Sequence, residues 1–377
     1  MIKKYQWSRI HNNEIWRGGL KRTVKLNSPL RYLKCNKAFV IASQLKEFFN
    51  LVYPVFRVVY LFLLAFSLVL PTKAAEPAKS GPEKWIFIGG DNPADHSDLI
   101  ERHDIAGVQV IHSWKSLEPE KGRYDFSRID RDLVLLETLG KKLFVQIQDR
   151  FFLPTHRNIP DYVLNDPIYD GGLVRQDDNA GEGQAKGSGW VTIQWNPAVR
   201  ARYQKLLQAL GARYDGRIFG INLPETAIEV EKNPDNKGFD CDAYFAAQIE
   251  NIRVAKQAFP KSHVVQYVNF WPCEWNNDRR YMERTFDFAK ANNIGLGGPD
   301  IIPYRRGQMK NSYPFFNRYR DELPLIAMAV QGPTLTYTNP RTGKKFTRAE
   351  FQDYAANYLG VDIIFWTVKS SWLQQAR

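Results

Sequence analysis

Cysteine is scarce in this chain: three residues in 377, one of which, Cys35, lies in a leader set apart by its charge. A chain of this length can bury a sizeable core without a disulfide framework. Histidine is also sparse. His96, His103, His112, His156 and His263 are scattered with no paired helical spacing, so no metal site is expected. No G-x-G-x-x-G follows the first apolar run, where only Gly89-Gly90-Asp91 stands, and this weighs against a dinucleotide fold. No phosphate-cradling glycine loop and no convincing Ser-His-Asp order is present, and no cofactor is implied.

What is missing from most of the chain is excess charge. Residues 1–75 hold 13 Lys/Arg against two acids, Glu14 and Glu47, while the whole chain is +12, leaving about +1 for residues 76–377. The basic character belongs to the leader, and nucleic-acid binding by the main body loses its chief support. Inside the leader, the apolar core Val58–Leu70 follows Arg57 and precedes Pro71-Thr72-Lys73-Ala74-Ala75, the layout of a secretory signal. Thr72 and Ala74 would be the small residues before the cut. The 13-residue core is short beside the roughly 20 residues of a membrane span, so an uncleaved anchor is the alternative. A tail of more than fifty residues before such a core is unusual, so translation is expected to start further downstream. On either reading the main body is exported, to the periplasm or outside the cell, and touches membrane only through this segment. The expected organisation is a leader at 1–75, a linker at 76–84 and one large domain at 85–377.

From Trp85 onward, short apolar runs alternate with stretches of helical periodicity. The strand candidates are Trp85–Ile88, Val108–His112, Lys142–Ile147, Phe219–Leu223, Val264–Val268, Ile294–Leu296, Leu325–Val330 and Asp362–Thr367. Helices are expected at Leu99–His103, Phe126–Leu139 (capped by Ser127), Asn196–Tyr214, Asp242–Ala258, Asp278–Ala291, Asn317–Glu322 and Arg348–Tyr358, with a short last one at Ser370–Gln375. Eight alternations with Val- and Ile-rich strands predict an α/β fold, a parallel (β/α)8 TIM barrel wrapped in helices; an open doubly wound sheet is the runner-up. The connection from Phe151 to Trp195 is far longer than the usual ~2–6 residues, and its polar centre, Gly171–Gly189, suits a loop over the barrel mouth.

In such a barrel the site lies at the carboxyl ends of the strands. The residues there are Asp91 and Asn92; His112, Ser113 and Trp114; Gln148 and Asp149; Asn222 and Glu225; Tyr267, Asn269 and Trp271; Asp300; Gln331; and Trp366 with Lys369. Amides and carboxylates hydrogen-bond sugar hydroxyls, and indole faces stack on pyranose rings, so a carbohydrate is the expected partner. Cys241 and Cys273 follow consecutive strands on the same face. They could close a loop of about 32 residues, or remain two buried thiols.

The run W-K-S-L-E-P-E-K-G-R-Y-D-F-S-R-I-D at Trp114–Asp130 resembles the segment after the second strand in the large clan of TIM-barrel glycoside hydrolases. Gly140–Gln148, Trp195–Pro197, Tyr214-Asp215 and Trp366 fit the same pattern, so the resemblance covers most of Trp85–Trp366. It implies an acid/base Glu at the end of strand four and a nucleophilic Glu at the end of strand seven. Glu225 matches the first position. The family's Asn stands directly before that Glu, whereas Asn222 here is separated from it by Leu223 and Pro224, which leaves Glu229 as a second candidate. At the end of strand seven stands Gln331, and a neutral amide cannot form the glycosyl ester that a carboxylate forms.

The resemblance therefore implies an exported glycoside hydrolase acting on a poly- or oligosaccharide. Glu225 would be its general acid and Asp300, in G-G-P-D-I (Gly297–Ile301), its second carboxylate. The alternative is a catalytically degenerate barrel that only binds carbohydrate, with Glu225 and Gln331 as ligand contacts. Asp91, His112, Trp114, Gln148, Asp149, Asn222, Tyr267, Asn269 and Trp366 are the expected substrate contacts around either version.

Overall fold

The computed structural model describes residues 81–176 and 189–374. The leader at 1–75 with its apolar core, the start of the linker, the centre of the long polar loop and the last three residues lie outside the described residues. All of the described residues belong to one compact unit, Lys79–Arg377. No helix among them is long and apolar enough to cross a membrane.

Ten strands are present among the described residues: β1 (Glu83–Phe87), β2 (Gly107–Ser113), β3 (Lys142–Gln148), β4 (Leu173–Arg175), β5 (Trp190–Thr192), β6 (Gly220–Leu223), β7 (His263–Tyr267), β8 (Gly295–Gly298), β9 (Ile326–Val330) and β10 (Ile363–Thr367). Eight of them close a parallel barrel in the order β1-β2-β3-β6-β7-β8-β9-β10, with β10 returning to β1. This is a TIM barrel, with each expected strand in its place. The long connection after β3 is not wholly irregular: β4 and β5 pair antiparallel as a small ribbon inside it.

Because strand side chains alternate, each barrel strand offers one row to the interior and one to the helices. The inner rows meet as Trp85, Phe144, Val265, Tyr267, Ala327, Ala329, Ile363 and Phe365. Phe144 on β3 packs edge-on to Phe365 on β10 at 5.2 Å between ring centroids and to Trp85 on β1 at 6.1 Å. β3 and β10 are not neighbours, so these contacts run across the barrel and plug its lower half. The outer rows, among them Ile86, Val108, Val110, Val145, Ile221, Leu296 and Trp366, pack against the helices.

At position 297 this packing admits only glycine. A Cβ on Gly297 would stand 1.8 Å from the Ala327 carbonyl oxygen and 3.1 Å from the Tyr267 ring, so β8 contributes bare backbone there and the Tyr267 ring fills the layer.

The helices follow their sequence signals with local shifts. Pro197–Tyr214 begins as expected, its N-cap Asn196 accepting from the Ala198 and Val199 amides. Ser127 is the first residue of its helix rather than the cap, and its amide donates to Asp125 Oδ1 at 3.0 Å. The helix expected at Asn317–Glu322 lies earlier, at Tyr313–Tyr319, because Pro314 sits in its first turn. Arg348–Asp353 widens into a π turn over Tyr354–Leu359. Among the described residues the segment after Ser370 is turn rather than helix. Cys241, first residue of the helix Cys241–Ala258, is disulfide-bonded to Cys273 with Cα atoms 6.2 Å apart, which ties the loop after β6 to the loop after β7.

Candidate active site

Pro224 has no amide hydrogen, so the β6 ladder stops at Leu223 and the chain turns out over the barrel mouth. The turn is held from several sides. Arg150 Nη1 donates to the Glu225 carbonyl at 2.8 Å, the Thr226 amide to the Tyr267 carbonyl at 3.0 Å, and the Tyr244 hydroxyl to the Thr226 carbonyl at 3.1 Å. Arg150 is buried and is fixed in turn by Asp149, with Nε to Oδ1 at 2.8 Å. This clamp aims the Glu225 side chain into the mouth, where Asn269 Nδ2 donates to its Oε2 at 2.7 Å. Glu225 is part-buried, and its pKa is pushed up to about 7. Desolvation is the main cause; the Arg150 charge opposes it, the Asp300 charge adds to it, and the Asn269 bond opposes it.

Asp300 stands two residues past β8, on the far side of Pro299. The Thr334 hydroxyl bonds its Oδ1, and the Tyr313 hydroxyl donates to its backbone carbonyl at 3.0 Å. Burial raises its pKa, against the pull of Thr334 and the Arg305 charge. Gln331, at the end of β9, turns its amide to the Pro299 carbonyl, Nε2 to O at 3.0 Å. A carboxylate here would face that carbonyl oxygen and repel it, so the local structure calls for the amide. Glu225 and Asp300 are thus two carboxyl groups at one mouth, close enough for the charge of one to raise the pKa of the other.

Beneath them lies a polar floor. Gln109 Nε2 donates to Asn222 Oδ1 at 2.9 Å and to the Tyr267 hydroxyl at 3.0 Å, joining β2, β6 and β7 across the barrel. Asn222 is fully buried there rather than exposed beside Glu225, and its own amide goes to the Leu223 and Val265 carbonyls. The Oε1 atoms of Gln109 and Gln146 are buried without a hydrogen-bond partner.

Several expected contacts do not reach the mouth. His112 lies on the outer row of β2, 1% exposed, 3.8 Å from Asp132 of the adjacent helix. Burial, helped by the Arg128 charge, drives its pKa down to about 3, so it stays neutral. Trp114 is buried against Tyr203, its Nε1 donating to Glu118 at 2.9 Å. Trp366 is buried between Phe351 and Trp372 on the helix side of β10. His112 and Trp366 belong to the shell, because an odd residue of β2 and of β10 faces inward and an even one outward; Trp114 belongs to it because it opens the short helix Trp114–Leu117 after β2. Asp149 is fully buried and acts through Arg150. Gln148 does lie at the mouth, with Nε2 on the Arg150 carbonyl at 2.8 Å. Asp91 is on the exposed rim beside His96, at 3.2 Å.

Arg150, Gln109 and Thr334 were not legible as site residues. A signal for the first two existed: Gln109 interrupts the apolar V-Q-V-I run at an inward position, and Arg150 follows the strand end Gln148-Asp149. Nothing in the sequence marks Thr334.

The fold and its mouth define a class: a TIM barrel that carries paired carboxyl groups and amides at the carboxyl ends of its strands. No family model and no curated protein matches the chain. Among solved structures, the chain is similar to the catalytic domain of a β-amylase from Paenibacillus polymyxa. The TM-score there is 0.50 at 7% identity, covering 76% of this chain and 92% of that one. It is similar also to a GH10 endoxylanase retrieved from a sugarcane soil metagenome, with TM-score 0.46 and 13% identity over 78% and 89% of the two chains. A family 39 glycoside hydrolase from Bacteroides cellulosilyticus WH2 gives 0.45 and 12% over 76% and 56%. At such identities the similarity to glycoside hydrolases is distant and is one of fold.

Proposed function

We propose that the protein is an exported glycoside hydrolase acting on a poly- or oligosaccharide. The observation that carries this reading is the state of Glu225. Its pKa is pushed up to about 7 and Asn269 is bonded to its Oε2, so near neutral pH a fraction keeps the proton that a leaving glycosidic oxygen needs. Asp300 is the second carboxylate. It either takes a proton from the water that attacks the anomeric carbon, or attacks that carbon itself and is released by water afterwards. The first route suits carboxyl groups about 6.5–9.5 Å apart, the second about 5 Å. Gln331 supports the bond partners of Asp300 and takes no proton. The amides of Gln148 and Asn269 offer hydrogen bonds to sugar hydroxyls, and the buried Gln109–Asn222–Tyr267 network supports them from beneath.

The second reading, a barrel that binds carbohydrate without cutting it, is favoured by Gln331 at the position where the resembling clan has its nucleophile. Incubation with a panel of bacterial and plant polysaccharides, following reducing ends, separates the two. Release by the native protein but not by Glu225→Gln supports hydrolysis. Binding without release by either protein supports the second reading. Normal activity in Asp300→Asn removes Asp300 from the mechanism.

A further inference from the structure

Residues 76–377 carry about +1 in total, yet their charge is unevenly spread around the mouth. The loops that follow β8, β9 and β10 (residues 299–312, 331–347 and 368–374) hold seven Lys or Arg against a single carboxylate, Asp300. Six of the seven are exposed: Arg306, Lys310, Arg341, Lys344, Lys345 and Lys369. None of these six makes an ion pair with a described residue. The loop after β6, residues 224–240, is the reverse, with five carboxylates and two Lys. A nearly neutral body therefore presents one strongly positive sector, where the field adds rather than cancels.

The sector reaches the carboxyl groups themselves. Lys369 Nζ comes within 4.0 Å of where a Cβ on Gly332 would stand, beside Gln331. Arg305 follows Asp300 by five residues, and its charge favours the ionised form of that carboxyl. Gln331 adds no negative charge between them. A neutral sugar gains little from such a sector, because an ammonium gives up hydration to meet a hydroxyl. An acidic group recovers that cost in a charge-assisted bond.

From this we infer that the glycan held in the mouth is anionic, carrying carboxylate or sulfate groups that lie over β8–β10, with Lys369 as their contact nearest Gln331. The inference rests on the glycosidase reading and names the substrate class of that same site.

The test uses the full chain and three acidic polymers with their neutral counterparts: polygalacturonate and alginate, each also carboxyl-reduced, and dextran sulfate with dextran. Binding is read by affinity electrophoresis and cutting by reducing ends. The expected result is that at least one acidic polymer is bound and its neutral counterpart is not, and that Lys369→Gln weakens the acidic binding about tenfold. Lys205→Gln, an exposed change on the wall helix Pro197–Tyr214, should leave it unchanged. An equal loss in Lys205→Gln would mean diffuse attraction and overturn the inference. Neutral polymers bound or cut as well as acidic ones would overturn it while leaving the glycosidase reading standing. No polymer of either kind bound or cut would remove both.

Discussion

The lower and upper halves of the barrel interior are built by the same rule and end up as different materials. On β3, β7 and β9 the inward rows supply Phe144, Val265 and Ala329 below, and Gln148, Asn269 and Gln331 at or just past the upper ends of the same strands. Below, the rings interlock, and the Trp85 indole N–H finds its partner in Glu83 at 3.0 Å. Above, polar atoms are held across strands, as Gln109 is by Asn222 and Tyr267, and Glu225 is left with a carboxyl that desolvation keeps partly protonated. Depth along the strand, rather than strand identity, separates packing from chemistry.

Four changes would break or sharpen that division. The largest effect should come from Glu225→Gln, which on the proposed mechanism costs at least about a thousandfold in turnover while the melting temperature at pH 5, where the native carboxyl is protonated, holds. A variant that still turns over would detach the upper half from the chemistry assigned to it. Trp85→Ala should do the opposite: about 3–5 kcal/mol of stability lost in urea titrations, with turnover per folded molecule kept. Replacing Cys241 and Cys273 by Ser should cost about 3–4 kcal/mol, since the bond closes a 32-residue separation. Turnover should again survive, because Glu225 is held by Arg150 and Asn269 rather than by the disulfide.

The smallest effect is the pH dependence of stability. Glu225 ionises near 4.5 unfolded and at about 7 folded, so the native state keeps a proton that the unfolded chain gives up between those values. Its contribution therefore falls as pH rises through that window, by on the order of 2 kcal/mol. Glu225→Gln should flatten the difference in urea midpoint between pH 5 and pH 8. An unchanged slope would mean that Glu225 ionises as an ordinary carboxyl.

The fold was legible because eight apolar runs and their spacing survive in the chain as written. The site was legible in part, and the reason is physical. In a parallel strand buried on both faces, hydropathy does not say which row faces the barrel. Trp366 and Phe365 are both large and apolar, and only the register puts Phe365 inside and Trp366 against the helices. His112 was assigned to the mouth for the same cause, and Trp114 because the helix it opens was not expected. Glu225, Asp300 and Gln331 lie beyond the strand ends, where Pro224 and Pro299 announce the turn. Arg150 works through a backbone carbonyl 75 positions away, a contact that no local pattern encodes.

Gly297 carries a consequence for how such a chain could drift. Its missing side chain lets β8 lie close against the backbone of β9, because a Cβ at 297 would stand 1.8 Å from the Ala327 carbonyl oxygen. Backbone rather than a neighbouring ring sets the limit, so no change at Tyr267 or Gln109 opens room at 297. Relatives of this barrel should keep glycine here even where the residues at 267 and 109 have been exchanged.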